Sequence, residues 1–148
     1  MSANFEMQAI GRGDLGRISH VDPLTATDAQ RHDHLGTLLD AGMSWGAFGD
    51  GRMIGFAIVT RHFYNFPFVD LLVVAGEARR HGAGSALMAH CAAAQWAMPH
   101  GADRMFTSTN ESNAPMRALL AKSGWLPAGV VHYLDPGDPE LIFVKPRG

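Results

Sequence analysis

The sequence predicts an α/β protein, a mixed sheet with helices on both faces. Three stretches carry that reading. The apolar run 71–74 leads into a short polar loop and then a helical pattern, with Ala83, Leu87, Cys91, Ala94 and Met98 recurring every three or four residues. Two apolar runs, 45–48 and 53–60, flank Asp50-Gly51, the residue pair that favours a tight hairpin. A strand-like run at 104–109 precedes a helix that Ser112 or Asn113 caps, with Pro115 in its first turn and Gly124 just past its end.

The remaining elements fill in around these. Phe5, Met7 and Ala9 alternate with polar residues and predict an opening strand, broken by Gly11, Gly13 and Gly16. Asp22-Pro23 punctuates, and Thr25 or Thr27 is placed to cap a helix running to about Ala41, ended by Gly42. Residues 61–67 read as a second turn rich in aromatics: Phe63, Tyr64 and Phe66, beside His62 and Asn65. The helix after the glycine loop should run to about Met98, where Pro99 and Gly101 stop it. Met116, Leu119 and Leu120 give the next helix an apolar face. Residues 130–134 and 141–144 are expected as closing strands around the turn Asp135-Pro136-Gly137-Asp138-Pro139. No repeat or linker interrupts the chain, so residues 1–148 are expected to form a single domain.

Composition narrows the class. Of the 148 residues 47% are apolar and 18% charged, the balance of a globular chain with a real core. A net charge of −2 leaves no broad basic face, which argues against nucleic acid as a partner. No apolar run approaches the ~18 residues a membrane span needs, and no early leader-like pattern is visible. One cysteine, Cys91, excludes a disulfide framework and reads as a small buried hydrophobe. These features together lead us to expect a cytoplasmic protein. His32 and His34 sit two apart on the expected helix, so their rings splay and no metal site is expected.

The loop at 79–85 has a chemical bias of its own. The first turn of a helix leaves backbone N–H groups unpaired, and the macrodipole adds positive charge there. Gly82 and Gly84 lack side chains that would keep a ligand off the backbone, and Arg79 and Arg80 add cations. An anion such as a phosphate suits such a place. A Walker loop would need Lys after its last glycine, and a dinucleotide fingerprint a third glycine where Leu87 stands, so neither fits.

The spacing Arg79-x-x-Gly82-x-Gly84 closely resembles the acyl-CoA pyrophosphate loop of the GNAT superfamily of N-acyltransferases. Leu72-x-Val74 resembles that family's pantetheine-binding strand. Further on, Asn113-x-x-Met116-x-x-Leu119-Leu120-x-Lys122-x-Gly124-Trp125 resembles the segment after the family's fifth strand, and the two matches are one helix and one strand apart.

The resemblance implies a mostly antiparallel GNAT-like sheet, acetyl-CoA as cosubstrate, and transfer of an acetyl group to a primary amine of a small molecule or peptide. It implies that backbone groups of Leu72, Val73 and Val74 hold the pantetheine arm. Arg79, Arg80, His81, Gly82, Ala83, Gly84 and Ser85 surround the pyrophosphate on this reading, and Asn113 touches the arm from the other side. It also suggests a homodimer. Many members carry a Tyr where this chain has Leu120, as the acid for the leaving sulfur, and leucine cannot give a proton. That departure keeps open a non-catalytic acyl-CoA-binding or sensing domain. Tyr133 and Tyr64, the only tyrosines, are the candidate replacements.

Direct transfer needs the amine and thioester side by side, a donor for the developing oxyanion, and a proton acceptor for an amine that is mostly protonated near neutrality. Asp70 is the best-placed carboxylate to accept that proton. Ser108 and Asn110, at the end of the following strand, are candidates to orient the amine. Tyr64 and its aromatic neighbours either line an acceptor pocket or plug a hairpin.

Overall fold

The structure is a computed structural model that describes residues 5–79, 81–99 and 102–148. Seven strands form one sheet in the order β1-β2-β3-β4-β5-β7-β6. They are β1 (Glu6–Ile10), β2 (Ser44–Gly49), β3 (Arg52–Phe63), β4 (Phe66–Val74), β5 (Arg104–Asn110), β6 (Leu126–Val131) and β7 (Glu140–Pro146). Every neighbouring pair is antiparallel except β4 and β5. The helices are α1 (Leu15–Val21), α2 (Leu24–Thr27), α3 (Ala29–Ala41), α4 (Ala83–Trp96) and α5 (Ala114–Lys122).

Two cores result, one on each face of the sheet. On the first, Leu15, Ile18, Leu35, Leu38 and Leu39 of α1 and α3 bury against Phe48, Phe56 and Ile58. On the second, Leu87, Met88 and Cys91 of α4 and Leu120 of α5 meet Ala57, Val59, Val69, Met105, Trp125 and Phe143. Burial pushes the Cys91 thiol up to about 12, so it is inert packing. No helix is long and apolar enough to cross a membrane among the described residues.

The N-terminal third departs from the sequence expectation. The glycines after β1 do not abolish helix: Gly16 lies inside α1, whose Leu15, Ile18 and Val21 recur every third residue on the buried side. Neither Thr25 nor Thr27 caps the long helix. Thr25 is buried and donates to Asp22 (3.1 Å), while Asp28 accepts from the N–H groups of Gln30 (3.0 Å) and Arg31 (3.2 Å) and starts α3. Asp22 also pairs with Arg31 at 2.6 Å, which fixes α2 against α3.

Gly42 follows α3 for a different reason than expected. Its backbone is extended, at φ −126° and ψ −171°, rather than left-handed. A Cβ there would stand 1.8 Å from the Val59 carbonyl oxygen. Backbone cannot give way as a side chain can, so Gly42→Ala is expected to cost about 3 kcal/mol or more, read as a lowered midpoint in denaturant melts.

Both hairpins use two-residue turns with positive φ. Asp50 (53°) and Gly51 (78°) join β2 to β3, as the sequence predicts. Tyr64 (52°) and Asn65 (66°) join β3 to β4, so the expected 61–67 turn is mostly strand. Of the closing strands, β7 contains the expected 141–144, but the other is displaced: β6 ends at Val131, and Tyr133 takes a positive φ (73°) in the loop beyond it.

Candidate active site

The site begins with a strand that leaves its neighbour. β4 pairs with parallel β5 through Phe68 and Phe106, then Val69 and Thr107. The Thr107 hydroxyl donates to the Val69 carbonyl (2.9 Å) and closes the apex. Beyond it, residues 71–74 stay paired to β3 and residues 108–110 to β7, but not to each other. A wedge therefore opens in the sheet. Strand geometry aims alternate N–H and C=O groups of β4 into it without a strand partner.

A β-bulge shapes the β4 lip. Val59 pairs with Val69 and Ile58 with Leu71, so Asp70 is the extra residue. Side chains three apart in a regular strand point to opposite faces, yet Val69 and Leu72 both belong to the α4/α5 face. Leu71 and Val73 pack on the α1/α3 face. Asp70, half-buried, accepts a short hydrogen bond from the Thr60 hydroxyl. Burial raises the Asp70 pKa above the ordinary aspartate value; the Thr60 bond and the nearby His62 and His34 oppose that shift. His34 is exposed, and its proximity to Asp70 is not visible in the sequence.

At the open end of β4 lies the glycine loop. Arg79 is exposed, and its Nε donates to the Val74 carbonyl at 3.4 Å. His81 is exposed; Arg80 lies outside the described residues. Gly82 caps α4 with φ +87°, and a Cβ there would meet open space. The Ala86 N–H to Gly82 carbonyl bond (3.0 Å) opens the helix, so the amides of Ala83, Gly84 and Ser85 precede its ladder. Gly84 also serves packing. A Cβ there would lie 2.9 Å from Leu119 Cδ1, so its absence lets α5 cross close to α4. The Ser85 side chain lies along a depression toward Trp125 and Lys145.

The β5 lip is capped by the β6–β7 loop. Asn110 Nδ2 donates to Asp135 (2.8 Å), Ser112 Oγ to Asp138 (2.6 Å), and the Glu111 N–H to the Pro139 carbonyl (2.8 Å). The Asn110 amide nitrogen thus anchors a loop, a role that strand position alone does not reveal. Asp135 and Asp138 are legible in the sequence only as turn residues. Tyr133, on the same loop, is 98% exposed. Ser108, half-buried, sits between Phe106 and Asn110 on the lip. Asn113 Oδ1 caps α5 by accepting from the Met116 N–H (3.2 Å).

One expected participant is elsewhere. Tyr64 is at the β3–β4 tip, before the first residue of β4, whereas the wedge opens at the other end of that strand. Leu120 is fully buried in the second core. A tyrosine there would have to displace packed neighbours, so Leu120→Tyr is expected to cost about 1–3 kcal/mol of stability, seen in melts, without raising turnover. No cluster of three or more metal-ligating side chains occurs among the described residues. A surface cavity of about 470 Å³ between α1, α2 and α3 is lined by Ser19, Thr27 and Asp33 and holds none of the residues above.

Residues 15–125 match the sequence profile of the acetyltransferase (GNAT) family. A GNAT-family acetyltransferase from Bacillus cereus ATCC 10987 superposes with a TM-score of 0.84 at 27% identity, covering 99% of each chain. The ribosomal-protein-S18-alanine N-acetyltransferase of Escherichia coli shares the fold at a TM-score of 0.77 and 17% identity, over 98% of this chain and 95% of that one. A Bacillus anthracis protein assigned as a streptothricin acetyltransferase, solved with acetyl coenzyme A, matches over 72% of this chain and 62% of its own at a TM-score of 0.64 and 18% identity. No curated protein matches the sequence. The profile spans most of the chain and the sheet has the family's form, so this protein belongs to the GNAT family of acetyltransferases, acyl-CoA-dependent N-acyltransferases.

Proposed function

We propose that this chain transfers the acetyl group of acetyl-CoA to a primary amine by direct attack, with the wedge between β4 and β5 as the thioester's seat. The observation that supports this most is the inner edge of residues 71–74, left without a strand partner beside the first turn of α4. In the proposal, main-chain groups of Leu72, Val73 and Val74 hold the pantetheine arm, and one N–H of that strand polarises the thioester carbonyl. Arg79, Arg80, His81 and the amides of Gly82, Ala83, Gly84 and Ser85 receive the pyrophosphate. Asn113 has its Oδ1 in the cap, which leaves its amide nitrogen to reach the arm.

CoA then approaches from the α4/α5 face, and the acceptor from the α1/α3 face, where Asp70 meets Thr60. Asp70 takes a proton from the ammonium. The free amine adds to the carbonyl carbon, the C–S bond breaks, and the second proton shed by the new amide nitrogen ends on the departing CoA thiolate. A raised pKa brings Asp70 closer to the operating pH and makes it a better base than an ordinary aspartate. Tyr133, on a loop bound to the end of β5, is the proposed donor to the sulfur, and Ser108 and the remaining acceptor oxygen of Asn110 orient the amine. Tyr64 stays a distant contact for a longer acceptor.

The test is thiol release from acetyl-CoA across a panel of primary amines. Amine-dependent release is expected; tight CoA binding without it would overturn the proposal.

A further inference from the structure

We propose that the acceptor is an arylalkylamine, a primary amine two or three carbons from an aromatic ring, seated on a platform of Phe63, Phe68 and Phe106. This rests on the acyl-transfer reading above and adds the chemical class of its second substrate. The rings form a continuous surface. Phe63 stacks on Phe68 (5.1 Å between centroids, 23°) and leans on Phe106 (4.9 Å, 42°), and Phe66 meets Phe106 edge-on (5.4 Å). All four are half-buried, and none belongs to either core. They are aromatic area that folding leaves partly open.

Their position ties them to the wedge. Phe68 and Phe106 face each other across the last paired stretch before the apex. Thr60 is directly opposite Phe68 and therefore shares its face, and the Thr60 hydroxyl holds Asp70. On β5, Phe106 and Ser108 alternate onto one face. The platform therefore continues into Asp70 on one lip and Ser108 on the other. Val144 and Ile142 of β7, opposite Phe106 and Ser108 and half-buried, extend its apolar floor. The helices of this face, α1 and α3, pack over β3, and α5 lies on the opposite face.

Distance selects the ligand. Two residues of strand set the backbones of Phe68 and Asp70 about 6.6 Å apart, so a chain of two or three carbons is the length that joins a ring over Phe68 to an ammonium at the carboxylate. A ring on the platform leaves its ammonium at the Asp70 carboxylate. A well-placed aromatic pair is worth about two- to tenfold in affinity, so an alkylamine of equal length should be the poorer substrate.

The experiment compares 2-phenylethylamine with n-hexylamine in the acetyl-CoA thiol-release assay. It also measures 2-phenylethylamine binding to the CoA-loaded protein by calorimetry. The aryl amine is expected to exceed the alkyl amine about tenfold in kcat/KM, and Phe68→Leu and Phe106→Leu, which keep apolar bulk, to reduce that preference about fivefold. Equal kcat/KM for the two amines overturns the platform and leaves acyl transfer standing. Aryl amine binding that both Leu variants weaken, with no thiol release to any amine, supports the platform and overturns acyl transfer. Absence of aryl amine binding overturns the proposal, as does a dimer that both Leu variants dissociate while the preference stays unchanged, which would give this face to a second copy of the chain.

Discussion

Asp70→Asn is expected to lower kcat/KM for the acceptor by about 10²–10⁴-fold, with CoA affinity changed less than about twofold. The carboxylate stands on the β4 bulge, held by Thr60, near the apex of the wedge and away from the glycine loop at its open end. Asparagine preserves the shape but cannot take a proton. The pH profile separates this from a positioning effect. Burial raises the Asp70 pKa, so the acid limb of kcat/KM in the parent protein should lie above the ordinary aspartate value of 3.8. In the variant that limb should vanish. Thr60→Val removes a hydrogen bond that lowers the pKa, so the limb should move further up in pH.

The same shift has a signed effect on stability. A carboxyl whose folded pKa exceeds its unfolded one binds its proton more tightly in the folded state. Its contribution is full below the unfolded pKa and is lost as pH rises through the folded value. Near neutrality the buried carboxylate is therefore a burden, and Asp70→Asn should melt higher than the parent. Thermal melts should show the difference shrinking as the pH falls towards 3.8. Activity down and stability up, in one variant, is the pattern a residue retained for chemistry leaves. A variant that loses both would assign Asp70 a structural part only.

Gly82→Asp is expected to weaken CoA binding at least about 30-fold, roughly 2 kcal/mol. Two effects act together. A carboxylate enters the open space at the start of α4 where the proposed pyrophosphate would lie, and it reverses the local charge. The residue must also hold φ +87°, which an L side chain adopts at a cost of about 1–2 kcal/mol. Gly82→Asn, neutral and tolerant of left-handed backbone, separates the two. It should keep most of the fold stability while losing less affinity than Asp. Unchanged CoA affinity in Gly82→Asp would remove the loop from the site.

How much of this was legible depended on whether the signal was local. Asp50-Gly51 specified its hairpin because a two-residue turn must satisfy its own backbone. The glycine loop and α4, and Asn113 with α5, were readable because caps act within a few residues. α1 was missed because three glycines in six residues outweighed the short Leu15, Ile18, Val21 spacing; packing against β3 supplies what propensity lacks. Asp28 lost to the threonines as a cap because the fate of Thr25, bonded to buried Asp22, is tertiary.

In the site, the strand and loop bearing the proposed CoA contacts could be located from sequence, since they rest on main chain. The bulge at Asp70 could not, because it exists only relative to the register of β3. Nor could the bonding of Asn110 to Asp135, 25 residues away, or the approach of His34 to Asp70. The aromatic stretch read as a plug or a pocket wall until Phe106, from a distant strand, joined Phe63 and Phe68.

Two residue pairs between β4 and β5 are all the main-chain stitching that holds the sheet's halves together at that seam. Such a short zipper is where the protein should breathe most easily. Any molecule that bonds to both lips acts as a strut, so occupancy should be felt far beyond the atoms it touches. Amides at Phe106 and Thr107 would then exchange with solvent more slowly once the gap is bridged, and the empty protein would be the softer of the two.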